Sequence, residues 1–465
     1  MESLTFQEII SAVNGTCLNS EPIGNINITS ISIDSRDIKP GTLYIPIKGD
    51  KFDGHVFIAD AFHKGCAVAL TEQKLVPEAH EVLIYVKDTK QALIDLATYY
   101  RKQFNIPVVA VTGSVGKTTT KDLIASVLSA KYSVHKTQGN FNNEIGLPLT
   151  IFGLTKEHQV LVVEMGMNHF GEIHNLSMIA RPDIGVITNI GVSHIEHLGS
   201  RKGILKAKCE ILDGMGQKGV LIVNGQDEML QQIIVSEPAL LTYGRDESHP
   251  FYADGVEAIG KEGMSATFYM PQSNIRMTIP AMGEHMIDNA LAAIAVAKRL
   301  YLSDREIQDG IEAYKPSKMR MDLQEASNGI SIINDAYNAS PDSMKAAIEV
   351  LGAMPVGKRK VAILGDMFEL GEHAQQLHEE LGEYIAKTKR VDLLITVGTL
   401  AHFIQDQVIL SGMSREKMHH FETQDGLILK LGDLLLPQDL VLVKASRGMA
   451  LEKTVDEIGK VKVNE

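Results

Sequence analysis

The run VVAVTGSVGKTTTKDLIASVLSA, residues 108 to 130, constrains the fold more than any other stretch of the chain. Four apolar residues give way to a turn carrying Gly113 and Gly116, and a helical pattern opens at Lys117. A continuously apolar strand is covered on both faces, which is the habit of parallel sheets flanked by helices. The runs SVHKT, QVLVVE, IGVIT and GVLIV repeat that character with helical patterns between them. Such alternation implies βαβ crossovers. The fold class read from this pattern is α/β, with a mostly parallel sheet in the centre of the chain.

Flanking segments extend the reading. The first hundred residues form a small α/β unit: SLTFQEIISAVNG is patterned as a helix closed by Gly15, and GTLYIPI and EVLIYV are strands. Residues 240–280 break the rhythm with SATFYM and IRMTIP, a small antiparallel element, and GEHMIDNALAAIAVAKRL is a helix. A third α/β segment begins near Tyr314, with strands in ISIIND, RKVAILG, DLLITVG and DLVLVKA. Pro107 and the Lys-Pro-Ser stretch at 315–317 mark the joints. Three domains are expected, over residues 1–105, 106–313 and 314–465, as suits a chain of 465 residues.

The glycine turn is suited to phosphate. Glycine lets the backbone approach closely with its N–H groups turned outward, and a helix start adds partial positive charge. Lys117 would reach terminal phosphates and the Thr118 hydroxyl would serve Mg²⁺. Thr112, Gly113, Ser114, Val115, Gly116, Lys117, Thr118 and Thr119 are the expected cradle. The spacing is TGxxGKT, with Val111 where the full GxxxxGK[ST] pattern has its first glycine. An ordinary strand-to-helix turn is the plainer alternative. No NKxD-type element for guanine follows, so ATP is expected rather than GTP.

Phosphoryl transfer needs cationic charge beside the phosphates. Glu164 ends the strand QVLVVE, where open α/β sheets collect ligands. TNIGVSHIEHLGS carries His194, Glu196 and His197, although a loop histidine is equally at home on a surface. The helix in GILKAKCEILDGM carries Lys206 and Lys208, and spacing alone makes both solvated. In the third segment, Asp335, Asn338 and Ser340 follow one strand, Asp366 and Glu369 a second, and Ser446 and Arg447 the last. Three polar turns at equivalent strand ends point to one ligand-binding face.

Composition limits the partners. A net charge of −13 argues against a nucleic-acid or membrane-surface binder, so any anion must meet a locally basic pocket. Cys17, Cys66 and Cys209 are too few and scattered for a disulfide framework or zinc site. The N-terminus lacks a signal-peptide pattern, and no apolar run nears the roughly 18–20 residues that span a bilayer. A cytoplasmic monomer acting on small molecules is expected.

The shortened phosphate loop, the Glu164 strand, the His194 loop and the lysine helix together resemble the Mur ligases of peptidoglycan synthesis. DSRDIKPGTLYIPIKGDKFDGHVFI, INDAYNASPDSMKAA and LGDMFELGEHAQQLH are similar to the branch that joins D-alanyl-D-alanine to UDP-N-acetylmuramoyl-tripeptide. The resemblance spans essentially the whole chain. It implies an N-terminal UDP-binding domain, a central ATPase and a Rossmann-like C-terminal domain. It implies an ADP-forming ligase working through an acyl phosphate, with Lys117 on the phosphates and Thr118, Glu164 and His194 on magnesium. Lys208 falls where relatives carry a carbamylated lysine, which reverses the reading from spacing.

The resemblance further implies that Asn289 and His285 lie on the adenine side and that Arg320 faces the nucleotide. Asp335 falls between ATP and the incoming amine. Ser35, Arg36 and Asn140 meet the UDP substrate, and Asn338, Ser446 and Arg447 the dipeptide side. Ala445 departs from an expected KGSRG, which puts that loop's conformation in question. Two rivals remain. A folate or amino-acid polyglutamylating ligase would keep the central machinery but lack the UDP-side and INDAYNASP stretches. An ATP-sensing module would need only the loop.

Overall fold

The computed structural model describes residues 1–19, 24–49, 52–78, 80–354 and 357–461. Asp50 and Lys51, inside the first resemblance stretch, lie outside them. Two compact units emerge, each assembled from several segments: Met1–Val111, Tyr132–Gly185 and Glu210–Val220 in the first, and Thr112–Lys131, Val186–Cys209 and Leu221–Glu465 in the second.

In the first unit, helix Phe6–Ala12 opens on a capping box in which Thr5 and Glu8 serve each other's backbone. It stops three residues short of Gly15, because Asn14 already turns left-handed at φ 47°. A five-stranded sheet follows in the order Thr16–Cys17, Leu83–Tyr85, Val68–Thr71, Thr42–Tyr44, Ser30–Ser32. All its pairings are parallel except that of the Thr16–Cys17 edge. Later in this unit, Val160–Glu164 lies parallel between Val108–Thr112 and Val134–Lys136. Every residue of Val160–Glu164 and Val108–Thr112 is buried, as their unbroken apolar runs require.

In the second unit, Met264–Met270 and Ser273–Ile279 pair antiparallel, as their alternation suggests. Phe251–Ala258 joins that pair antiparallel on one side and meets Ala239–Gly244 in parallel on the other. The C-terminal segment is a six-stranded sheet ordered Asp322–Glu325, Ser331–Asn334, Leu440–Lys444, Lys360–Gly365, Leu393–Val397, Met418–Phe421. Its first pairing is antiparallel and the others parallel. Alternate residues split between two cores: Ala362, Leu364 and Leu442 pack with helices Pro341–Ala353 and Ala374–Thr388. Val361, Ile363 and Val441 face Leu427, Leu431 and Ile458 on the other side. Helices on both faces of a mostly parallel sheet make this segment Rossmann-like. The polar turns after residues 334, 365 and 444 therefore leave three adjacent strands at one sheet edge.

Candidate active site

The phosphate turn needs both of its glycines. Gly113 has φ 149°, and a Cβ there would stand 1.8 Å from Thr188 Oγ1. Gly116 caps helix Lys117–Ser129 at φ 84°. Only glycine occupies such conformations without cost. The turn is braced by a dipeptide that sequence reasoning passed over, Thr188-Asn189, which follows strand Ile184–Ile187. The backbone N–H of Ser114 donates to Asn189 O at 3.0 Å, and that of Val115 to Asn189 Oδ1 at 2.9 Å. Thr188 Oγ1 and Asn189 Nδ2 both donate to Val115 O.

The brace takes up two of the turn's amides. Those of Ser114 and Val115 are spent on the brace, and the ones that helix geometry leaves without an intrahelical acceptor belong to Lys117, Thr118 and Thr119. Thr112 Oγ1 and Ser114 Oγ are buried with no hydrogen-bond partner among the described residues. Lys117 Nζ donates to Gly113 O at 2.8 Å and Ser114 O at 3.3 Å, curling over the turn. Beneath it, Thr120 Oγ1 donates to Asn289 Oδ1 at 3.0 Å. Asn289, buried on helix His285–Arg299, thus supports the helix start.

Lys206 and Lys208 part company. Lys206 is exposed, as spacing predicts, whereas Lys208 is 1% exposed. Burial drives the Lys208 amine well below its usual range, and the positive charge of Lys117 pushes the same way. Among the described residues no acid pairs with it. A buried, unpaired ammonium costs several kcal/mol, so the solvated reading from spacing fails here. The missing information was tertiary: helix Arg201–Cys209 also buries Ile204 and Ala207.

His194 lies mostly covered, with Nδ1 2.6 Å from Glu369 Oε2. Both residues are left-handed, at φ 63° and 62°, an uncommon state for side-chain-bearing residues. Burial lowers the His194 pKa, and the hydrogen bond to His194 holds the Glu369 carboxyl below its usual range. Burial also lowers His285, against the attraction of Asp335 and Asp288.

At the C-terminal sheet edge, Lys444 Nζ donates to Asp335 Oδ2 at 2.5 Å and to Asn338 O at 3.0 Å. Lys444 is a buried cation that the sequence reading did not single out. Asp366 accepts from the N–H groups of Thr399, Leu400 and Ala401. Ser446 Oγ accepts from Phe368 N at 2.9 Å, and Ser446 N donates to Asp366 O. Tyr337, also unremarked in the sequence, has the Arg320 guanidinium 4.1 Å from its ring centre and that of Arg447 at 5.8 Å. Arg447 N donates to Asn338 Oδ1. Ala445 is fully buried and is not among the left-handed residues, so its methyl group is compatible with the loop.

The first unit carries the remaining candidates. Glu164 is 2% exposed; its Oε1 accepts from Asn142 Nδ2 at 2.8 Å, while Oε2 is buried with no hydrogen-bond partner among the described residues. Asn140 is exposed. The carbonyl of buried Ser35 accepts from Lys64, and exposed Arg36 forks onto Asp34, holding that carboxyl down at about 2. No group of three or more His, Cys, Asp or Glu residues that could hold a metal occurs among the described residues.

Comparison with known proteins gives whole-length matches. The Mur ligase middle domain model matches residues 111–297, the Mur ligase glutamate ligase domain 319–447, and the Mur ligase family catalytic domain 27–101. The chain is 40% identical over 456 residues to the UDP-N-acetylmuramoyl-tripeptide--D-alanyl-D-alanine ligase of Bacillus subtilis (strain 168), covering 98% of each. Its fold is similar to that of MurF from Acinetobacter baumannii, with a TM-score of 0.89 and 32% identity, covering 99% of this chain and 100% of that one. MurF ligase from Thermotoga maritima in complex with ADP aligns with a TM-score of 0.82 at 29% identity, covering 93% and 97%.

Proposed function

The chain belongs to the Mur ligase family, and from that premise we propose that it joins D-alanyl-D-alanine to UDP-N-acetylmuramoyl-tripeptide at the expense of ATP. The products are the UDP-linked pentapeptide precursor of peptidoglycan, ADP and phosphate. The observation that carries this reading is the 40% identity to a ligase of that name across 98% of both chains. It disfavours the polyglutamylating rival, which would lack the UDP-side and INDAYNASP stretches, and the sensor, which would need only the loop.

The tripeptide carboxylate attacks the γ-phosphorus of ATP, forming an acyl phosphate and releasing ADP. The dipeptide's ammonium first loses a proton to solvent, and the free amine attacks the acyl carbon; the C–N bond forms, the C–O bond to phosphate breaks, and the nitrogen sheds a second proton to solvent as the amide forms. A carboxylate is already nucleophilic at neutral pH, so the first step needs charge neutralisation and alignment more than a base. Lys117 and the amides opening its helix supply positive charge at the phosphates. Asn289 and Arg320 are assigned to the nucleotide, with Asn289 acting through the helix start it supports. Ser35, Arg36 and Asn140 are assigned to the UDP substrate. Asn338 and Arg447 face the dipeptide side, and Ser446 acts there by tying loops together.

For magnesium we assign Thr118, Glu164, His194 and Lys208, the last as its carbamate. The buried, unpartnered Glu164 Oε2 and the buried, unpaired Lys208 amine fit that assignment. A carbamate forms on a neutral amine, which burial favours here. Mg²⁺ is ordinarily held by one or two carboxylates with water and phosphate oxygens, so a prebuilt all-protein cage is not needed. When bound, it offsets phosphate charge. No helix among the described residues is long and apolar enough to cross a membrane, and we place the protein in the cytoplasm as a monomer. Phosphate release by the purified protein should require ATP, the UDP-linked tripeptide and D-alanyl-D-alanine together. Equal turnover with pteroyl-glutamate, or turnover indifferent to any acceptor, would contradict the assignment.

A further inference from the structure

Asp335 is the acid that resemblance sets between ATP and the incoming amine, yet its carboxylate is already engaged. Lys444 holds Oδ2 at 2.5 Å, and Met321 N donates to Oδ1 at 3.2 Å. Seven residues on stands an acid in a different condition. Asp342, in the first turn of helix Pro341–Ala353, is exposed, and among the described residues no group pairs with its carboxylate. A Cβ added to Gly191 would stand 2.2 Å from Asp342 Oδ2 and 3.4 Å from Ser114 Cβ. Glycine at 191 therefore lets this carboxylate settle against the loop after Asn189, beside the phosphate turn.

A carboxylate next to a phosphate-binding turn repels the nucleotide unless a cation arrives with the reaction. An acid in a first helical turn is common because it meets the helix dipole. Here, though, the helix start has its own cap, with Ser343 Oγ accepting from Ser340 N at 2.9 Å. The reaction brings two: the magnesium assigned above to Thr118, Glu164, His194 and Lys208, and the dipeptide's amino group, an ammonium for most molecules at neutral pH. We propose that Asp342 is the receptor for that ammonium and holds the dipeptide nitrogen beside the phosphate turn. The inference rests on the ligase reading above and names a specificity-determining residue for its second substrate.

Steady-state kinetics of full-length wild type, Asp342→Asn and Asp342→Glu test it, with ATP, UDP-linked tripeptide and dipeptide varied in turn. Asp342→Asn should raise KM for D-alanyl-D-alanine about 10- to 100-fold, the range for losing a hydrogen bond to a charged group. KM for the other two substrates should move far less, and Asp342→Glu should recover part of the loss. Hydroxylamine, uncharged at neutral pH, should suffer a much smaller penalty as alternative acceptor. Gly191→Ala, which displaces the carboxylate, should reproduce the dipeptide defect. A lower melting temperature with unchanged dipeptide KM would reduce Asp342 to a helix-start charge and overturn the proposal, as would a raised magnesium requirement without a dipeptide effect. If wild type itself makes no amide from D-alanyl-D-alanine, the ligase reading fails instead.

Discussion

At the phosphate turn two hydroxyls, those of Thr112 and Ser114, are buried without hydrogen-bond partners among the described residues. At the C-terminal strand ends, by contrast, Asp335, Asp366 and Ser446 each make two or more internal bonds. Both regions are loops beyond strands, and both look equally polar in sequence. Unsatisfied buried groups cost about 1–3 kcal/mol each, so the turn is internally incomplete where the strand ends are not. The strand ends are complete scaffolds that hold a few outward groups, such as Arg447 and Asp342, in place. Exposed polar character in a loop thus does not by itself separate binding groups from bracing ones.

Gly113→Ala probes the incomplete region hardest. The added methyl would collide with Thr188 and meet a backbone that only glycine accepts, so ligase turnover should fall about a hundredfold or more. Near-normal rates would show that the turn is not the energising element. Lys208→Ala should cost about 100- to 1,000-fold in kcat with an unchanged circular dichroism spectrum, whereas Lys206→Ala, two residues away, should stay near wild type. Equal effects at the two lysines would remove the distinction that burial draws.

The bracing region should respond in stability instead. Lys444→Met strands a buried carboxylate and should cost about 3–5 kcal/mol in urea unfolding; adding Asp335→Asn should recover part of it. The smallest effect is expected at His378, whose Nε2 accepts from Met367 N at 3.0 Å. Burial lowers its pKa, so on acidification the unfolded chain takes up the proton first. Its contribution is full above the ordinary histidine value of about 6.5 and is lost progressively below it. His378→Gln should flatten the pH dependence of unfolding in that window; an unchanged slope would deny His378 the role.

The conformation of the glycine turn was legible in the sequence because its requirements are local: two glycines at fixed spacing, then Lys117 opening a helix. The α/β architecture was legible for a similar reason, since unbroken apolar strands report burial on both faces. Lys208 was marked only by the resemblance and not by spacing, because Lys206 and Lys208 share one short motif and differ only in what packs around them. The Thr188-Asn189 brace left a trace, a polar pair directly after the strand Ile184–Ile187, but nothing local says which turn it supports. Asp342 was masked by a commonplace, since an acid in a first helical turn needs no further explanation until its surroundings are known.

The most direct measurement is isotopic. Tripeptide substrate labelled with ¹⁸O in both oxygens of its terminal carboxylate would be turned over with ATP and D-alanyl-D-alanine, and the released phosphate analysed by mass spectrometry. Activation through an acyl phosphate predicts one ¹⁸O carried into each phosphate released. Unlabelled phosphate, with the amide product still formed, would contradict it.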